Sequence, residues 1–115
     1  NYALFGGGVS GLDFSAVVDA YSSSLVKSTP AAMSVARSLL AATAVGDYAL
    51  FGGGYIGAQS DTVDAYDKSL VRSTPTALSK ARDELAATTV GNYALFGGGY
   101  ANNAVSTVDA YVNNS

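Results

Sequence analysis

A chain of 115 residues that is 49% hydrophobic and 13% charged has the size and composition of one folded domain and is too apolar to be a disordered segment. Nine Asp plus Glu against six Lys plus Arg give a net charge of −3, which argues against a nucleic-acid surface, because phosphate binding needs clustered positive charge. The sequence has no Cys and no His, which removes disulfides, thiolate nucleophiles, thiolate metal sites and imidazole chemistry, and no run approaches the about 18 apolar residues of a spanning helix.

Tyr2-Ala-Leu-Phe-Gly-Gly-Gly8 opens the chain and returns at Tyr48 to Gly54 and at Tyr93 to Gly99, with spacings of 46 and 45 residues. Repeats of this period are stacked supersecondary units, none of which can bury its faces alone. Four apolar residues before three glycines read as a buried strand followed by a stop where backbones approach closely or φ is positive. Gly6, Gly7, Gly52, Gly53, Gly97 and Gly98 are therefore expected to be structural. The absence of Lys-Ser/Thr after the glycines sets aside a phosphate-binding loop.

Leu40 to Val45 and Leu85 to Val90 each precede a two-residue Gly-Asp or Gly-Asn link and the Tyr-Ala-Leu-Phe strand, a hairpin signal. A loop of variable sequence follows, then Val17-Val-Asp-Ala-Tyr21, Thr62-Val-Asp-Ala-Tyr66 or Thr107-Val-Asp-Ala-Tyr111 as a third strand. Leu70 to Thr74, running into Pro75, reads as a fourth and outer strand, since proline cannot donate to a ladder. Asp19, Asp64 and Asp109 stand two residues before Tyr21, Tyr66 and Tyr111 and share a strand face with them. Half-buried carboxylates need partners, so these are expected to accept from backbone or from the repeated Arg37 and Arg82 rather than to form a catalytic pair.

Thr74-Pro75 and residues 76–87 carry a helix-start signal and place Leu78, Ala81 and Leu85 at helical spacing. A helix there would make the chain an α/β solenoid. Against this, the matching residues 31–42 exchange Lys80, Asp83 and Glu84 for Val35, Ser38 and Leu39, which a solvent face does not tolerate easily.

The order Arg82, Leu85 to Val90, Tyr93 to Phe96, Gly97-Gly98 and Tyr111, preceded by Arg37, Leu40 to Val45, Tyr48 to Phe51, Gly52-Gly53 and Tyr66, resembles the kelch-repeat β-propeller family. The resemblance implies an all-β fold of four-stranded antiparallel blades. It departs in the fourth strand, where the family usually has a Trp and this chain has Leu70-Val-Arg-Ser73. In that frame residues 1–39 are strands two to four of one blade, 40–84 a complete blade and 85–115 strands one to three of another. Propellers close with about four to eight blades, so homo-oligomerisation or membership of a longer repeat chain is expected. Asn1 without a Met or signal-like segment reads as a processing or cloning boundary.

The loops between the second and third strands vary while the strands scarcely change, and loops on a rigid scaffold are where binding resides. Asp13, Phe14, Tyr55, Gln59, Asp61, Tyr100, Asn102 and Asn103 are the candidate ligand-binding residues, for a protein or glycan partner. No catalytic residue, metal or cofactor is expected, and no calcium-loop spacing is present. A spacer or self-assembling unit, and a fragment of a propeller enzyme, are the rival readings. The compartment stays open, with an extracellular or cell-surface location favoured by the low charge, by the Asn, Ser and Thr content, and by the family's use.

Overall fold

The computed structural model describes residues 2–112, and the outermost ends of the first and last expected units lie outside them. All regular structure among these residues is strand, in several small antiparallel sheets, none of which closes on itself. The first sheet contains β1 (Tyr2–Gly6), β4 (Val18–Ser22) and β5 (Lys27–Ser28), in that order, and a short hairpin of β2 (Val9–Ser10) and β3 (Asp13–Phe14) rises from the β1–β4 connection. The middle sheet runs β6 (Ala41–Val45), β7 (Tyr48–Gly52), β8 (Val63–Tyr66), β9 (Arg72–Ser73). The third runs β10 (Ala86–Val90), β11 (Tyr93–Gly97), β12 (Val108–Val112). Gly46 and Gly91, at φ 58° and 55°, open the two-residue turns that set the β6–β7 and β10–β11 registers, Val45 facing Tyr48 and Val90 facing Tyr93. The fourth strand of the middle sheet, expected over Leu70 to Thr74, is confined to Arg72–Ser73 and lies at the outer edge.

Register gives each sheet two different faces. Across β7 and β8, Phe51 faces Asp64 and shares its side with Tyr66, while Leu50 faces Ala65 and shares the other side with Val63. The Phe side of the middle sheet packs on the first sheet in a core of Val18, Met33, Phe51 and Tyr66, edged by Leu4 and Leu40. Its Leu side meets the third sheet in a core of Leu50, Val63, Ala65, Leu78, Leu85, Ala94 and Phe96. Phe51 and Phe96 each land on the glycine that ends the matching strand of the neighbouring sheet. A Cβ on Gly6 would stand 3.0 Å from the Phe51 ring, and one on Gly52 2.8 Å from the Phe96 ring. The sheets also touch along their inner strands, where the Thr43 and Thr89 hydroxyls are 2.6 Å apart.

Residues 29–40 and 74–85 are not helical, which removes the α/β solenoid. Each is an extended strap wedged between two sheets. Its amides donate outward instead of to the carbonyl four residues back: Met33 to Ala16 O and Arg37 to Ser15 O in the first strap, Leu78 to Asp61 O and Arg82 to Ser60 O in the second. Leu39 and Glu84, at φ 55° and 54°, turn the chain out of each strap into the inner strand, a conformation that breaks a right-handed helix. A helix would offer one apolar stripe to one neighbour. The strap must serve two, so Leu78, Arg82, Asp83 and Leu85 are all buried.

Candidate functional site

Each strap carries an arginine latch. Arg37 and Asp64 are both fully buried and pair at 2.8 Å, and the same carboxylate oxygen accepts from the Ser34 amide at 3.2 Å and the Ser34 hydroxyl at 3.1 Å. The guanidinium also donates to Thr62 O at 2.6 Å and Phe51 O at 3.3 Å. Burial pushes Arg37 below its ordinary pKa, and Asp64 and then Tyr66 oppose that shift. Arg72 of β9 stands 3.7 Å from the other Asp64 oxygen, beyond hydrogen-bond reach. The second strap repeats the arrangement: Arg82 pairs with Asp109 and donates to Gly98 O at 2.8 Å, while the Ser79 amide and hydroxyl reach the same Asp109 oxygen. The tyrosines complete each latch, Tyr66 donating to Ala31 O at 2.7 Å and Tyr111 to Thr76 O at 2.6 Å. Burial first, and the neighbouring carboxylate second, raise both phenols, Tyr111 to about 12.

These charges are spent on structure. Among the described residues the hydrogen bonds and ion pairs of the Asp64 and Asp109 carboxylates are with the strap packed beside them or, for Asp64, with Arg72. Asp19 differs: it is half-buried, and among the described residues its carboxylate has no ion pair or side-chain hydrogen bond. The glycines mirror the pattern. Gly7 and Gly53 have φ of 78° and 70°, and a Cβ on either would lie 2.8 Å from the carbonyl of Arg37 or Arg82. Gly97 and Gly98 meet nothing closer than 3.5 Å.

The variable loops share one edge of the slab with the straps. Ser38 and Tyr55 exchange backbone hydrogen bonds at 3.1 and 2.7 Å, Asp83 and Tyr100 at 3.1 and 2.9 Å, so each strap pins the loop of its own sheet as well as that of the preceding one. Phe14, carried by the β2–β3 hairpin, meets Tyr55 edge to face with ring centroids 5.7 Å apart, joining two loops. Gln59 is tied to Tyr55 by an isolated antiparallel bridge and is half-buried, while Asp13 and Asp61 are exposed. Tyr100 is 44% exposed, and Asn102, at φ 70°, and Asn103 form the exposed tip of the third loop. The structure thus brings together Phe14, Tyr55 and Gln59, while Tyr100, Asn102 and Asn103 form a separate cluster one repeat away.

Sequence reasoning missed Ser34, Ser79 and Met33, although Met33-Ser-Val-Ala-Arg37 and Leu78-Ser-Lys-Ala-Arg82 repeat the serine three residues before the arginine. Among the described residues no group of His, Cys, Asp or Glu is arranged to hold a metal ion, and no helix is long and apolar enough to cross a membrane. No family model matches the chain, and no curated protein matches it.

Proposed function

We propose that this chain is a noncatalytic binding module, a segment of kelch-like propeller blades that presents its second-to-third-strand loops to a protein or glycan. The observation that carries the reading is the Phe14–Tyr55 contact. Two loops that differ in sequence are joined by aromatic rings on an edge that the straps hold rigid. Partly exposed aromatic rings beside amide and carboxylate groups suit a ligand with one apolar face and several hydroxyls or amides, and Gln59 and Asp61 stand within the same loop as Tyr55. The propeller reading draws support from the sheet order, the outer fourth strand and the repeated Phe-on-glycine contact.

A screen of the 115-residue chain against immobilised glycans and displayed peptides tests this. The expected result is a ligand whose affinity falls at least about tenfold on Tyr55→Ala, at unchanged thermal stability. Absence of any ligand, or one indifferent to Tyr55, Gln59 and Tyr100, would remove the loops from the function.

A further inference from the structure

The first sheet bears the same side chains as the other two, but among the described residues no strap covers its Phe face. Phe5 and Tyr21 stack edge to face at 6.1 Å, as Phe51 with Tyr66 and Phe96 with Tyr111 do at 5.9 and 5.8 Å. Within the chain that face is covered twice, and both times by the same chemistry. A serine amide and hydroxyl and an arginine converge on the Asp, and a carbonyl six residues before the arginine accepts from the Tyr. On the first sheet, Ala3, Phe5, Asp19, Tyr21 and Leu25 instead line an open hollow of about 570 Å³. Phe5 is 64% exposed.

Among the described residues β1 pairs with β4 alone, whereas its counterparts β7 and β11 also pair with the inner strands β6 and β10. A second cavity of about 500 Å³ adjoins β1, lined by Leu4 to Gly7, by Asp19 of β4 and by Ala41 and Ala42 of β6. The inner strand begins four residues after the strap arginine in both complete cases, Arg37 to Ala41 and Arg82 to Ala86. One continuous segment could therefore fill the hollow and the cavity.

We infer that the first sheet is an acceptor site for the strap-and-strand segment of a further repeat of this kind: an extended peptide with Met or Leu, then Ser-x-x-Arg, then a short β-forming run. The arginine and serine dock on Asp19, the carbonyl upstream receives the Tyr21 hydroxyl, Phe5 is covered, and the run after the arginine adds to the β1 edge as a new strand. Strand addition supplies backbone hydrogen bonds, and the buried Arg–Asp contact supplies selectivity. The inference rests on the repeat architecture and not on the loop ligand, so either can fail without the other.

The probe is a synthetic peptide of residues 76–90 added to the intact 115-residue chain, with backbone amide exchange followed residue by residue. Saturable binding with new protection confined to β1 is expected. Asp19→Asn in the chain, or Arg82→Ala in the peptide, should each weaken binding at least about tenfold. Asp19 holds no partner among the described residues, and the peptide variant leaves the chain untouched, so loss of binding cannot be mistaken for unfolding. No protection of β1 at millimolar peptide, or binding indifferent to both changes, overturns the inference. Exchange of the peptide with the chain's own β10, seen as protection changes in the third sheet alone, overturns it as well.

Discussion

Phe51, Asp64 and Tyr66 in the middle sheet and Phe5, Asp19 and Tyr21 in the first occupy the same register, one residue facing another across the same pair of strands. Phe51 is 3% exposed and Phe5 64%. Asp64 holds a buried arginine and Asp19 holds nothing among the described residues. The same residues on the same backbone thus have opposite environments, and the difference is the strap and sheet on the far side. What repeats in this sequence is half of an interface. A sheet becomes a core only when the next strap arrives, as expected for a stack whose stability resides in contacts between neighbours.

Truncating the shared Phe breaks the comparison most sharply. Phe51→Ala empties the contact with Gly6 and the Tyr66 ring and should cost about 3–5 kcal/mol, whereas Phe5→Ala should stay within about 0.5 kcal/mol; urea unfolding of both variants gives the two values. The glycine side of the contact gives a smaller contrast. In Gly52→Ala the new methyl meets the Phe96 ring at 2.8 Å, for an expected loss of about 1–3 kcal/mol, while Gly97→Ala, with nothing nearer than 3.5 Å, should be close to neutral by the same assay.

The smallest effect is with pH. The Tyr111 phenol is raised to about 12 by burial and by Asp109, above its unfolded value near 10. The neutral phenol that donates to Thr76 O therefore adds stability that is complete below about pH 10 and is lost as pH rises toward 12. Denaturation midpoints of wild type and Tyr111→Phe should converge over that window. A constant gap between them would mean that the phenol does not report on the latch.

Much of this fold is legible in the sequence. The 45-residue period, the Gly-Asp and Gly-Asn turns and the alternation of Val-Asp-Ala-Tyr define strand order, because turn chemistry and period-two faces are local properties. The straps were hidden for the opposite reason. Leu78, Ala81 and Leu85 satisfy a helical spacing, and only the two flanking sheets, with a buried Arg82 between them, make an extended path better. The exchange of Lys80, Asp83 and Glu84 for Val35, Ser38 and Leu39 was the available clue; Asp83 is buried with one carboxylate oxygen unpaired. Of the candidate site, the loops can be found by their variation, but the meeting of Phe14 with Tyr55 cannot. Those rings sit at unrelated repeat positions and come together only through the β2–β3 hairpin.

The central claim is that each sheet owes its stability to the strap and sheet on either side. Native-state hydrogen exchange of the unaltered 115-residue chain, resolved by residue, tests it most directly. The slowest amides should be those of β7 and β8, covered on both faces, with β1 and β12 opening at distinctly lower free energy. Equal protection of β1 and β7 would contradict the claim, since each sheet would then be stable without its neighbours.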